Sequence, residues 1–157
     1  MKRIKIISVG KLKSAHWRAA ADHYRKRLKP YLDLEETQIK DADPCLPTQE
    51  RVEREGERLL KLIAACGPQA HMICLDEKGK NMDSAAFAFF LRELHDSGCS
   101  PCFIVGGPFG LSKRVLAQAQ TKLRLSSLTF THEMALVLLL EQVYRAENIN
   151  AGTGYHH

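Results

Sequence analysis

Five short runs suited to extended strands, residues 3–9, 34–39, 71–76, 102–105 and 122–128, alternate with segments whose apolar residues recur at helical spacing. That alternation predicts an α/β fold, a mostly parallel sheet with helices covering both faces. The first helix, over residues 14–28, puts Trp17, Ala21, Tyr24 and Leu28 on one stripe and stops before Pro30. Thr48 is placed to cap a second helix running to Cys66, with Val52, Leu59, Leu60 and Ile63 inward and Gly67-Pro68 as its stop. Asp83 or Ser84 caps a third, whose Phe87, Phe90, Leu91 and Leu94 share a face and read as core. Ser112 opens a fourth helix to Ala119, and the last, from Glu133 to Ala146, contains the most apolar run of the chain, residues 134–140. The polar stretch 77–81 reads as a turn.

At 157 residues and 45% apolar content, the chain suffices for one filled core and is short for two, so a single domain is expected. A net charge of +5 favours a polyanionic partner. Lys11, Lys13, Arg18, Arg25, Lys26, Arg27 and Lys29 gather on and before the first helix, away from its apolar stripe, as either a solvated face or a phosphate-contacting one. No run approaches the roughly 18 apolar residues of a membrane span, and Met1-Lys2-Arg3-Ile4-Lys5 lacks the apolar centre of a secretory signal. A cytoplasmic protein is the expectation. Five cysteines, an odd number, suggest no disulfide framework. Cys99-Ser100-Pro101-Cys102 has the spacing of a redox pair or half a zinc site, but it follows a helix and enters a strand, and no second pair completes a metal set. Ordinary thiols and no metal are expected.

Ligands of open α/β sheets bind beyond the carboxyl ends of the strands. Three such ends stand out: Leu75-Asp76, then Gly106-Gly107-Pro108-Phe109-Gly110, then Leu125-Ser126-Ser127-Leu128-Thr129-Phe130. The glycine order is neither a dinucleotide fingerprint nor a Walker loop. What the glycines offer is backbone, a tight turn and close approach of a ligand to amide groups, although a purely structural turn reads the same way. Titratable groups follow at His132, Tyr144-Arg145 and a tail ending Gly154-Tyr155-His156-His157.

These motifs and their order, from Ile6-Ile7-Ser8-Val9-Gly10-Lys11 through Gly79-Lys80 and the three loops to Glu141-Gln142-Val143-Tyr144-Arg145-Ala146 and Tyr155-His156, resemble the ribosomal RNA large subunit methyltransferase H family. Its members are SPOUT methyltransferases that methylate N3 of a pseudouridine in 23S ribosomal RNA of the assembled ribosome. The resemblance implies a C-terminal trefoil knot within a cofactor-binding half of about residues 70–157, a homodimer, and S-adenosylmethionine as methyl donor. It implies cofactor contacts at Leu75, Gly106, Leu125, Ser126, Ser127, Leu128, Thr129 and Phe130. Arg145, His156 and Tyr155 fall on the acceptor side as catalytic candidates, with His132 shaping the cofactor loop. The chain departs from the family pattern at Leu136, where Arg is usual, at Thr131, where Pro is usual, and at His157, where a basic residue is usual. The loss at Leu136 implies one RNA or dimer-partner contact fewer. Another RNA substrate, such as transfer RNA, and a non-catalytic dimeric RNA-binding protein are the alternatives.

Overall fold

The computed structural model describes residues 1–156, so His157 lies outside the described residues. Strands β1 (Lys2–Val9), β2 (Leu32–Ile39), β3 (Ala70–Asn81), β4 (Ser100–Val105) and β5 (Thr121–Arg124) form one sheet in the order β2-β1-β4-β3-β5, every pairing parallel. Between and after them run α1 (Ala15–Leu28), α2 (Thr48–Ala64), α3 (Ser84–Asp96), α4 (Lys113–Leu116) and α5 (His132–Ala151).

Alternation along the strands divides the apolar residues between two cores. Ile4, Ile6, Ile73, Phe103, Val105 and Leu123 face a thick layer made by α1, α3 and α5. Ile7, Val9, Met72, Cys74, Cys102 and Ile104 face a thinner one, in which Leu59 and Ile63 of α2 and Val115 of α4 close the sheet. Both faces are buried, as an all-parallel sheet requires. No helix is long and apolar enough to cross a membrane among the described residues.

Helix α5 is the centre of the thicker layer, with Leu136, Val137, Leu139, Leu140, Val143, Tyr144 and Ala146 all buried. Thr131 starts it by accepting a hydrogen bond from the Met134 N–H at 3.3 Å, which gives the Thr at this position a capping role. Leu136 is only 4% exposed inside the core. The position is therefore a packing site in this chain, not a surface that has lost a contact. The helix also runs a turn beyond the expected Ala146, because Glu147 and Asn148 are buried and used: Glu147 Oε2 meets Lys2 Nζ at 2.7 Å, and Asn148 Nδ2 donates to the Tyr144 carbonyl at 2.8 Å. Gly152, at φ 67°, ends it in the left-handed conformation.

Elsewhere the boundaries shift for local reasons. Pro47, not Thr48, occupies the cap of α2, and Ser14 makes no side-chain cap on α1. Glu133 serves α1 instead, its Oε2 accepting from the N–H groups of Lys13 and Ser14 at 3.0 and 3.4 Å. Helix α4 is a single turn, and β5 ends at Arg124, beyond which Ser126 Oγ accepts from the Leu128 N–H at 3.0 Å and bends the chain away from the sheet. The expected turn at 77–81 is a bulge inside β3: Leu75 and Lys80 both pair with Leu123, and the residues between them are looped out. Asp76 Oδ1 accepts from the Lys78 N–H at 2.7 Å within that bulge.

Gly79 closes the bulge against the β5 backbone, and a side chain there would begin 2.7 Å from Leu123 N and C. Backbone cannot yield as a side chain does, so Gly79→Ala is expected to destabilise by about 2 kcal/mol or more, read from urea unfolding, through overpacking. Burial pushes the Cys74 thiol up to about 12. The folded chain then keeps a proton that the unfolded chain releases from about pH 9 upward, so stability falls as pH rises from about 9 toward 12. Urea midpoints measured across that range should decline, and a thiol reagent at neutral pH should label exposed Cys45 long before Cys74.

Candidate active site

Because every strand runs the same way, all carboxyl ends emerge on one edge of the sheet. Where β3 and β5 end there, a cavity of about 360 Å³ opens between the start of α3 and the middle of α5. Phe87, Leu123, Leu125, Phe130 and Leu138 give it apolar walls, and Ser84, Ser126 and Gln142 supply polar groups. Local sequence sets each wall. Asp83 caps α3, its Oδ1 accepting from the Ala86 N–H at 2.7 Å, and so fixes Ser84 and Phe87 on the first turns. The bend at Ser126 returns the chain so that Phe130 closes the cavity.

The residues expected at a cofactor divide in three ways. Leu125, Ser126 and Phe130 line the cavity. Leu75 stands in register with Leu123 and packs on the thicker core, while Gly106 ends β4 and leads into a hairpin in which the Gly110 N–H donates to the Gly107 carbonyl at 3.1 Å. Ser127, Leu128 and Thr129 lie on the outer side of their loop, with Leu128 74% exposed. Ser84, Phe87, Leu138 and Gln142 went unassigned as cavity residues because their helical positions already explained them.

The acceptor-side candidates come together at the end of α5. Arg145 binds Glu141 through Nη2 at 2.7 Å and Nε at 3.0 Å, and its Nη1 donates to the main-chain carbonyls of His156 at 3.3 Å and Tyr155 at 3.5 Å. Its guanidinium lies 5.0 Å from the centre of the Tyr155 ring, which meets Tyr144 edge-on at 4.8 Å. The hydrogen bond that Arg145 donates to Glu141 raises the Arg145 pKa further, so its charge is permanent. Burial, with Tyr155 and Glu141 nearby, also raises the Tyr24 phenol. A hydrogen-bonded line joins this cluster to the cavity: Ser84 Oγ donates to Gln142 Oε1 at 2.8 Å, and Gln142 Nε2 donates to Glu141 Oε2 at 2.7 Å. His132 stands apart at the start of α5, where a side chain on Gly10 would begin 3.7 Å from its Nε2.

The basic face of α1 is partly spent on the fold itself. Arg25 pairs with Glu36 at 2.6 Å and with Asp22 at 2.8 Å, Arg18 donates to the carbonyls of Leu12 and Lys13, and Arg27 lies 5.4 Å from the centre of the Tyr144 ring. Cys102 does not pair with Cys99 but faces Cys66, sulfur to sulfur at 3.8 Å. Among the described residues, no three His, Cys, Asp or Glu side chains gather closely enough to hold a metal ion.

A family model described as "Predicted SPOUT methyltransferase" matches residues 1–156. The ribosomal RNA large subunit methyltransferase H of Nitratidesulfovibrio vulgaris (strain DP4) is 46% identical over 158 aligned residues, covering 100% of this chain and 99% of the relative. The protein of that name from Lawsonia intracellularis is 45% identical over 157, covering 99% of this chain and 98% of its own. The crystal structure of a probable methyltransferase from Bordetella pertussis Tohama I superposes with a TM-score of 0.60 at 16% identity, covering 93% of this chain and 95% of that one. A probable methylase family protein from Haemophilus influenzae Rd KW20 gives 0.55 at 14%, covering 97% of this chain and 67% of that one, so these two share the fold. From the first strand to the tail beside Arg145, then, the chain belongs to the SPOUT methyltransferases, within the ribosomal RNA large subunit methyltransferase H family.

Proposed function

We propose that this methyltransferase moves a methyl group from S-adenosylmethionine to N3 of a pseudouridine in 23S ribosomal RNA, acting on the assembled ribosome in the cytoplasm. The observation that carries the reading is the cavity at the ends of β3 and β5, hydrogen-bonded through Gln142 and Glu141 to Arg145 and the tail. Its size and its mixture of apolar walls with a few polar groups suit an adenosine-sized ligand. Phe87, Leu125, Phe130 and Leu138 would enclose the flat base, with Ser84, Ser126 and Gln142 meeting its polar edge and the Gly106 loop receiving the rest.

The donor supplies an electrophilic methyl on a positively charged sulfur that leaves as a neutral thioether. The remaining work falls to the chain. It must align the acceptor nitrogen, take the N3 proton and balance the negative charge that grows on the ring. Arg145 holds the tail by its Nη1 bonds to the Tyr155 and His156 carbonyls, which keeps the Tyr155 ring and the His156 backbone beside the guanidinium. His156 offers an imidazole nitrogen as a candidate proton acceptor. The permanent Arg145 charge, shared with Glu141, suits the developing anion.

The reading includes a single knotted domain and a homodimer. A chain of 157 residues has little surface beyond the site with which to grip a large RNA, which favours help from a second copy and from a folded target.

Labelled methyl from S-adenosylmethionine should appear in N3-methylpseudouridine when ribosomes lacking the modification are the substrate, and not with naked RNA. Label in transfer RNA and in no ribosomal form would sink the substrate assignment. Phe130→Ala should raise the donor KM by about tenfold through lost apolar burial. Arg145→Ala should lower kcat by about 10²-fold while calorimetric donor binding stays within about twofold, the pattern of a group acting on the acceptor. An unchanged kcat would remove Arg145 from the mechanism.

A further inference from the structure

The glycine loop follows β4 at the carboxyl edge of the sheet and rests on α2. Two adjacent turns of α2 touch the loop at three points. The guanidinium of Arg51 lies 4.9 Å from the centre of the half-exposed Phe109 ring. Glu55, 5% exposed, uses Oε1 to accept from the Ala42 N–H at 3.0 Å, and a side chain on Gly107 would begin 3.3 Å from its Oε2. A side chain on Gly56 would begin 2.5 Å from Ser112 Oγ, the atom that caps α4 by accepting from the Val115 N–H at 3.3 Å. Glu55 stands on the inward stripe of α2 with Val52 and Leu59, where a leucine would pack without desolvating a carboxylate. Packing alone gives no reason for an acid there. Its two oxygens face two separate segments, the loop after β2 and the loop after β4.

We infer that Glu55, flanked by Arg51 and Gly56, is a positioning residue that holds the glycine loop in one shape. It rests on the proposed function only in what that shape is for, the reception of the methyl donor. Glu55 belongs to the thinner, α2 side of the sheet, whereas the cavity opens between α3 and α5, so it acts on the donor through the loop and not by contact. The Arg51 stack on Phe109 steadies the loop tip, and the missing side chain at Gly56 lets Ser112 dock at the loop's exit.

The test combines amide hydrogen exchange with donor kinetics on the full chain. Glu55→Ala should speed exchange by about tenfold at Ala42, through its lost hydrogen bond, and across residues 106–112, through the lost contact at Gly107, while peptides of β1 and α5 keep their protection. In the same variant the KM for S-adenosylmethionine should rise by about tenfold with kcat within about twofold, a split that a mere loss of folded protein does not produce. Glu55→Gln retains an acceptor for the Ala42 N–H and should recover most of both effects. Unchanged loop exchange in Glu55→Ala, or a kcat that falls while KM stays flat, overturns the assignment. Should that variant fail to fold, Arg51→Ala decides: faster exchange confined to 106–112 upholds the holding role of α2, and none refutes it. A wild-type chain that transfers methyl to no RNA would instead count against the proposed function, and the exchange result would still settle what Glu55 does.

Discussion

An all-parallel sheet has no solvent face, and the rest of this molecule follows from that requirement. Each strand must be buried on both sides, so each is followed by a covering helix, and each strand end opens on the same edge. The two covers are unequal. Three helices form one layer and two form the other, the second of which is a single turn at α4. The cavity lies in the thicker layer, where α5 is packed between α1 and α3 and can contribute both a wall and a link to the tail.

Much of this organisation was legible from the pattern of residues. Ile4 and Ile6 against Ile7 and Val9 already divide β1 between two cores, and the helical stripes of α1, α2 and α3 turn inward, with Trp17, Tyr24, Leu60 and Phe90 only partly buried. The misread segments are those in which backbone, or a polar group put to structural use, replaces an apolar signal. The bulge in β3 is made of charged residues around Gly79, whose importance lies in what it lacks. Glu147 and Asn148 read as surface residues from sequence and predict an earlier end to α5, whereas Lys2 and the Tyr144 carbonyl give their buried side chains partners and the helix continues.

The site was readable in a different measure. Two of the three loops are visible as glycine or serine clusters at strand ends, the third as the end of an apolar strand at Leu75-Asp76, and the tail cluster as the titratable residues near Arg145. Ser84, Phe87 and Leu138 carry no ligand signal of their own, since a capping position, a core stripe and an apolar run account for them, and Gln142 reads only as part of the Glu141–Ala146 motif. Two signals were present and passed over. Glu141 and Arg145 stand at the i, i+4 spacing that pairs charges on a helix. Glu55, on the same stripe as Val52 and Leu59, was a charge where the periodicity demanded none.

The ion pair between Lys2 and Glu147 joins the second residue of the chain to the last helix across 145 positions. The contact has a temporal side. In a growing chain β1 precedes α5, so α1 and α3 stand beside an open trench on the sheet until α5 has been made. Loop-closure entropy of this range slows folding, and the uncovered apolar trench is the surface through which an unfinished chain would aggregate. The thicker core can therefore close only once α5 has reached β1.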